Sequence, residues 1–380
     1  MAKTKPVSIR QCFAHVPDPR RQHMRLHNLW DIIAITILAV IAGADSWVDV
    51  ANYGLSKLDW LQTFLELPNG IPSHDTFNRV FALLDPAALQ HGFLNWVQRI
   101  AQATLGRLVA IDGKTARHSF DNATGKGALH MVSAWASENR LLLGVQAVDS
   151  KSNEITAIPE LLKTLEISGA IVTIDAMGCQ KTIAADIRQA GADYVLAVKD
   201  NQPTLHNDIL QVFSDGLEND FAGLEHHSYS TEEKGHGRVE KRLYHVLKVS
   251  KELAEQHAEW EDLRSIGMVL SERQEGDKEP SIETRVFISS MPARVKRFAR
   301  AVRNHWGIET SLHWVLDVSF REDASRLRKD HGQANMGLMR RLAVSLLHNE
   351  TTCKAGVGCK RKRAGWNDDY LVGVLCASLK

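Results

Sequence analysis

Little in this sequence marks a secreted, membrane-spanning or disulfide-bonded chain. Its start, from Met1 to Phe13, has no apolar stretch of the leader type. The longest apolar run, Ile32 to Ala44, has 13 residues, whereas a helix that crosses a bilayer needs about 20. That run follows Asp31 and contains Thr36, so a buried helix is the expectation. The five cysteines (Cys12, Cys179, Cys353, Cys359 and Cys376) are odd in number and form no CxxC pair. That argues against a disulfide framework and a zinc site, and for a reducing compartment. The expected location is the cytoplasm, with no membrane partner. No internal repeat and no long low-complexity segment is present. A Gly-x-Ser-x-Gly elbow is also missing, which removes the Ser-His-Asp hydrolase reading. His226, His227 and His236 match no zinc spacing and find no fourth ligand. A net charge of +1 points to no partner by itself.

What is present is a chain of 380 residues, 44% hydrophobic, enough for a large core in two or three domains. The charge is unevenly spread. Between Arg294 and Arg363 there are 16 Lys and Arg against 6 Asp and Glu. Local charge governs attraction to phosphate. Such a stretch is either a phosphate-binding face or a solvated helical surface.

The first 105 residues pattern as helices. Asp31–Ala42 forms one, stopping at Gly43; Trp47–Leu65 forms a second, broken at Gly54. Ser73 is a candidate N-cap before Phe77, Val80 and Phe81, and Pro86 suits the first turn of a helix carrying Leu89, Phe93, Trp96 and Val97. This module is a candidate DNA-reading domain, and on pattern alone equally a dimerisation or packing module. Over 106–200 the pattern becomes α/β. Leu108–Ile111 is a strand ending in the turn Asp112-Gly113. Met131–Trp135 and Leu141–Val148 form a hairpin. Ile155–Leu165 is a helix, Ala170–Ile174 a strand ending at Asp175, Lys181–Gln189 a helix and Tyr194–Val198 a strand. The order β-β-β-α-β-α-β implies a mixed sheet. Residues 201–292 read as a β-rich insertion, with strands at Val239–Val249, Ser265–Leu270 and Glu283–Ile288. Residues 293–350 return to helix, with segments at Arg294–His305, Ile308–Leu316 and Gln333–His348. Residues 351–380 are a basic tail containing Lys360-Arg361-Lys362-Arg363.

Asp112 and Asp175 each close an apolar strand, 63 positions apart. Ligands collect at the carboxyl ends of strands in open α/β sheets. Two carboxylates there are hard donors suited to Mg²⁺ or Mn²⁺, although acids after strands are also ordinary turn formers. Glu309 is the preferred third carboxylate over Asp317, Glu322 and Asp323, because Trp306 and Leu312 beside it would pack its helix onto the sheet. Trp306 and Trp314 are either core residues or platforms for a displaced base.

Three blocks carry a resemblance: Ala110-Ile111-Asp112-Gly113-Lys114, Thr173-Ile174-Asp175-Ala176-Met177, and His305-Trp306-Gly307-Ile308-Glu309-Thr310-Ser311-Leu312-His313-Trp314. They resemble the blocks of DDE insertion-sequence transposases, in the branch of the H-repeat-associated proteins found beside Rhs elements. Asp18-Pro19-Arg20, Gly70 to Phe77, Lys199-Asp200-Asn201-Gln202 and Gly235-His236-Gly237-Arg238 extend the likeness nearly end to end. The resemblance implies a ribonuclease-H-like mixed-sheet core, with a β-rich insertion before the helix that carries Glu309. It implies Asp112, Asp175 and Glu309 as catalytic ligands of two Mg²⁺ or Mn²⁺ ions. It also implies phosphodiester hydrolysis at the element's terminal inverted repeats, then strand transfer of the 3′-hydroxyl into target DNA. Pairing of two element ends implies a homodimer. Lys114, Lys199, Arg238, Arg303, His305, Arg326 and Arg328 are the candidate DNA contacts. Related transposases carry Tyr, Arg and Lys around the glutamate, where this chain has Val302, His305 and Leu316. From the residues alone, two alternatives stay open: a metal-dependent nuclease of the same fold without strand transfer, and a non-catalytic DNA-binding remnant of a mobile element.

Overall fold

A computed structural model describes residues 9–101, 108–120, 127–148, 153–235 and 237–376, with the side chains of 97–101 excepted. Val97 as a packing residue and His236 lie outside that description. The chain divides into two compact units, each assembled from separate stretches. The first comprises Met1–Thr104, Gly113–Asn153 and Ile308–Lys380; the second comprises Leu105–Asp112 and Glu154–Gly307.

The first unit is mainly helical. Leu29–Ile41 is apolar on every face and is buried from Asp31 onward. Its two buried polar groups are satisfied locally: Asp31 Oδ2 accepts from Leu67 N at 3.0 Å, and Thr36 donates to Ile32 O. The next helix, Trp47–Ser56, opens on a capping box of Ser46 and Asp49. It does not break at Gly54, as the sequence suggests. It ends at Lys57, and Gly54 is there for space: a Cβ on it would stand 2.7 Å from Ile71 Cγ2. Ser73 caps His74–Leu83 by accepting from Thr76 N, and Pro86 opens Pro86–Ala101. The Gly332–Asn349 helix is buried almost throughout and packs on the Leu29–Ile41 and His74–Leu83 helices. It also packs on the second strand of the hairpin β2 (His130–Ala136) and β3 (Leu141–Val148). The end of β1 (Leu108–Thr115) stands beside β2.

The second unit is built on a mixed sheet. From β1 the order continues through β4 (Ile171–Ile174), β5 (Asp193–Val198), β9 (Ser281–Ser289), β8 (Ser265–Glu275), β7 (Arg238–Lys248) and β6 (His226–Gly235). Strands β1, β4 and β5 are parallel; the rest pair antiparallel. The expected order β-β-β-α-β-α-β is present, with helices at Glu154–Lys163 and Lys181–Gln189. Pro203–Glu218 is a helix that the sequence reading placed inside a β-rich insertion. Val295–Ile308 lies on the sheet, where Phe298 joins Leu108, Val195 and Phe287 in one apolar cluster. Gly267 of β8 has no side chain because Phe298 fills its place: a Cβ would meet that ring at 2.3 Å.

Candidate functional site

Strand β1 pairs with β4 so that Ile111 faces Ile174. Asp112 and Asp175 follow those partners directly, and neighbouring strands run about 4.8 Å apart. The two carboxylates therefore start from adjacent backbones at the same end of a parallel pair, and both are partly buried. One expectation needs correction. Asp112 does not close its strand, which runs on through Gly113-Lys114-Thr115. Its continuation lies in the other unit, beside β2, which supplies the partner that an isolated apolar run does not reveal.

Asp175 does follow the end of β4. Its Oδ1 accepts from Met177 N at 3.1 Å and Gly178 N at 3.4 Å. Burial pushes its carboxyl above the ordinary value, and the Glu154 charge adds to this; the Gly178 and Met177 amides and Lys199 oppose it. The turn requires glycine at 178, where a Cβ would fall 2.3 Å from Ile174 Cγ2. From beyond β5, Asn201 donates to Ala176 O at 2.7 Å and Gln202 to Cys179 O at 3.0 Å. These two residues stand in the Lys199–Gln202 block. Their work is to brace the loop that carries Asp175, a role the sequence reading missed.

Glu309 belongs to the first unit. It opens a π turn, Glu309–His313, between Val295–Ile308 and the helix Trp314–Phe320. His313 is buried, and its Nδ1 lies 3.1 Å from Glu309 Oε2. That hydrogen bond, with the His313 and Lys114 charges, holds the Glu309 carboxyl below its ordinary value despite partial burial. His348 donates from Nε2 to Ser311 O at 2.8 Å and packs edge-on against Trp135. Burial drives the His348 imidazole down to about 4, so it is neutral at pH 7. Leu312 packs inward as expected, but Trp306 and Trp314 do not: they are 45% and 57% exposed. Arg285 lies over the Trp306 ring at 5.3 Å.

The candidate DNA contacts separate into two groups. Lys114 is inside the protein, with only 9% of its side chain exposed, and its Nζ sits 2.8 Å from Asp317 and 3.5 Å from Asp323. Arg303 forms a two-pronged bond to Glu233 at 3.1 and 2.8 Å, and His305 Nδ1 lies 3.0 Å from Thr173 Oγ1. The charges of Lys114 and Arg303 are thus engaged within the fold, not offered as free surface cations. Lys199, Arg238, Arg326 and Arg328 are exposed, Arg328 over the Phe120 ring at 5.6 Å. Val302 and Leu316, which replace the expected Tyr and Lys, are packing residues. His226 and His245 make a stacked pair, Nε2 to Nδ1 at 2.9 Å, with the Phe221 ring on His226. No third ligand joins that pair among the described residues.

The basic stretch is also partly internal. Arg340, Arg341, Lys360 and Arg361 are buried. Arg341 pairs with Glu322 at 2.7 Å, Lys360 donates to Leu347 O, and Arg361 lies over Phe320 at 3.9 Å and donates to Asp45. These cations hold helices together, which is neither of the two roles expected of the stretch. Among the described residues, no helix is long and apolar enough to cross a membrane.

Comparison with known proteins fixes the class. The transposase DDE domain matches residues 103–346, and the domain described as DDE_Tnp_1-associated matches residues 10–97. The chain belongs to the DDE transposase family, and its mixed α/β fold is the ribonuclease-H-like core of that family with a helical region before it. Within the family it stands with the H-repeat-associated proteins. It is 40% identical to "H repeat-associated putative transposase YhhI" of Escherichia coli (strain K12) over 96% of both chains. It is 43% identical to "Putative transposase YncI" of Escherichia coli O157:H7, over 95% of this chain and 93% of that one.

Proposed function

We propose that this protein is an active DNA transposase. It hydrolyses the phosphodiesters at the ends of an insertion sequence and transfers the freed 3′-hydroxyl into target DNA. Asp112, Asp175 and Glu309 are its metal-holding carboxylates. The observation that carries the reading is the side-by-side emergence of Asp112 and Asp175 from a parallel strand pair in a chain of this family. The donor set is all oxygen and anionic, which suits Mg²⁺ or Mn²⁺ and not a soft metal. Two such ions would supply a nucleophilic oxygen and relieve charge at the leaving 3′ oxygen.

The rest of the chemistry is positional. Met177 and Gly178 hold Asp175 through one carboxylate oxygen, leaving the other for a cation. Exposed Lys199, Arg238, Arg326 and Arg328 grip the phosphate backbone. Trp314 offers an exposed ring for a displaced base. A homodimer pairs the two element ends, and the helical region at 1–105 contributes to reading them.

The test uses purified protein, Mg²⁺ and DNA bearing the terminal inverted repeats. Asp112→Asn, Asp175→Asn and Glu309→Gln are each expected to abolish nicking while leaving DNA binding intact. A labelled 3′-hydroxyl end is expected to join plasmid DNA. Normal cutting by any one variant removes that residue from the ligand set, and cutting without joining replaces the transposase reading with a nuclease.

A further inference from the structure

The π turn is the one place where the helical path from Val295 to Phe320 leaves ordinary α geometry. Such turns insert an extra residue, and they persist where a side chain must be aimed. Here the turn begins at Glu309 and ends at His313. The two ends differ sharply in exposure: the His313 side chain is 5% exposed and the Glu309 side chain 52%. An imidazole fixed in the interior thus reaches out to a carboxylate at the surface. The turn is held from a second side as well, because His348 of the Gly332–Asn349 helix donates to Ser311 O within it.

We propose that His313 is the positioning residue for Glu309, fixing the orientation in which that carboxylate would meet a metal ion. A proton on Nδ1 makes His313 the donor and Oε2 the acceptor. Oε2 is then engaged by that bond, and rotation of the carboxylate is restricted. A carboxylate free to rotate binds through either oxygen or through both. One pinned by a buried donor is held ready in one orientation. Groups that hold a metal's ligands in this way typically contribute 10- to 100-fold to metal affinity. Neighbouring cations do not substitute for His313. Lys114 is held by Asp317 and Asp323, and Arg341 by Glu322. This inference rests on the proposed role of Glu309 as a ligand.

The experiment compares wild-type protein with His313→Phe, which keeps the ring and removes the donor, and with His313→Asn, whose amide restores a donor near the Nδ1 position. Binding of Mn²⁺ alone is followed by electron paramagnetic resonance of the free ion, and the Mg²⁺ concentration for half-maximal nicking is measured in parallel. His313→Phe is expected to weaken Mn²⁺ binding and raise the Mg²⁺ midpoint by about tenfold or more, with the DNA dissociation constant unchanged. His313→Asn is expected to return both within a few-fold of wild type. Circular dichroism melts establish that each variant is folded. If His313→Phe misfolds, the His313→Asn variant and a His313→Leu variant carry the comparison. A folded, donor-free variant with the wild-type Mn²⁺ affinity and Mg²⁺ midpoint overturns the proposal. Glu309→Gln separates the two ideas. If it abolishes cutting while the donor-free variant behaves as wild type, only the role of His313 fails; if it cuts normally, the ligand assignment itself fails.

Discussion

Gly178 lies three residues after Asp175 with Ile174 Cγ2 and Ile158 Cδ1 closing around it. Gly178→Ala forces these side chains apart and shifts the turn whose amides hold Asp175. We expect a loss of about 1–3 kcal/mol in urea unfolding together with slower nicking; unchanged stability would mean that the isoleucines yield freely. The buried pair Glu322–Arg341 predicts a larger effect. Removing one charge strands the other, so Glu322→Gln should cost about 3–5 kcal/mol, measured by the same unfolding. Acid should weaken the fold through two groups. Burial pushes the Glu322 carboxyl up, but the Arg341 and Arg340 charges outweigh it and hold it below its ordinary value. Its contribution is therefore complete above the unfolded carboxylate pKa and is lost as pH falls through the lower folded one. His348 is buried neutral, with its imidazole lowered from 6.5 to about 4. Between those values the unfolded chain binds the extra proton, so stability drops as pH falls from about 6.5 to about 4. His348→Gln should flatten that part of the profile, and an unaltered slope would place the proton uptake elsewhere. At this scale the two aspartates were legible, because apolar runs end at them. The true partners of Lys114 and Arg303 were not, since Asp317 and Glu233 lie 203 and 70 positions away.

Elements were legible where one face, or every face, is buried. The Leu29–Ile41 helix and the strands β1, β2, β3, β4 and β5 all show continuous or periodic apolar residues. Strand β6 does not: its residues are exposed on both faces for most of its length, so no alternation marks it. The π turn was equally hidden, because one inserted residue barely disturbs a 3.6-residue pattern over so short a span. The contact between Phe298 and Gly267 shows how a helix is seated by a missing side chain. Gly267→Ala should lift the Val295–Ile308 helix from the sheet at a cost of about 1–3 kcal/mol. It should also lengthen the contact between His305 and Thr173. A crystal structure of the variant with that helix unmoved would contradict this account.

Over the whole molecule, net charge is a poor guide and so is the local count. Four of the basic residues in the 294–363 stretch are internal fasteners, and Arg303 is held by Glu233, so fewer cations face phosphate than the count suggests. DNA binding should weaken steeply with salt. Neutralising Lys199, Arg326 or Arg328 singly should lower the slope of log K against log salt by about one unit each. Arg341→Ala should instead unfold the protein, and a salt slope reduced in a folded Arg341→Ala variant would reverse that assignment. The division into units has a consequence for shortened chains. Its borders at Asp112–Gly113 and Gly307–Ile308 fall within a strand and at the end of a helix, not in linkers. A gene copy shortened before Ile308 therefore loses the Gly332–Asn349 helix and with it the middle of the first unit. Such a chain is expected to leave the Leu29–Ile41 and His74–Leu83 helices without the helix that covers them, and faster cutting in limited proteolysis than the full-length protein checks this.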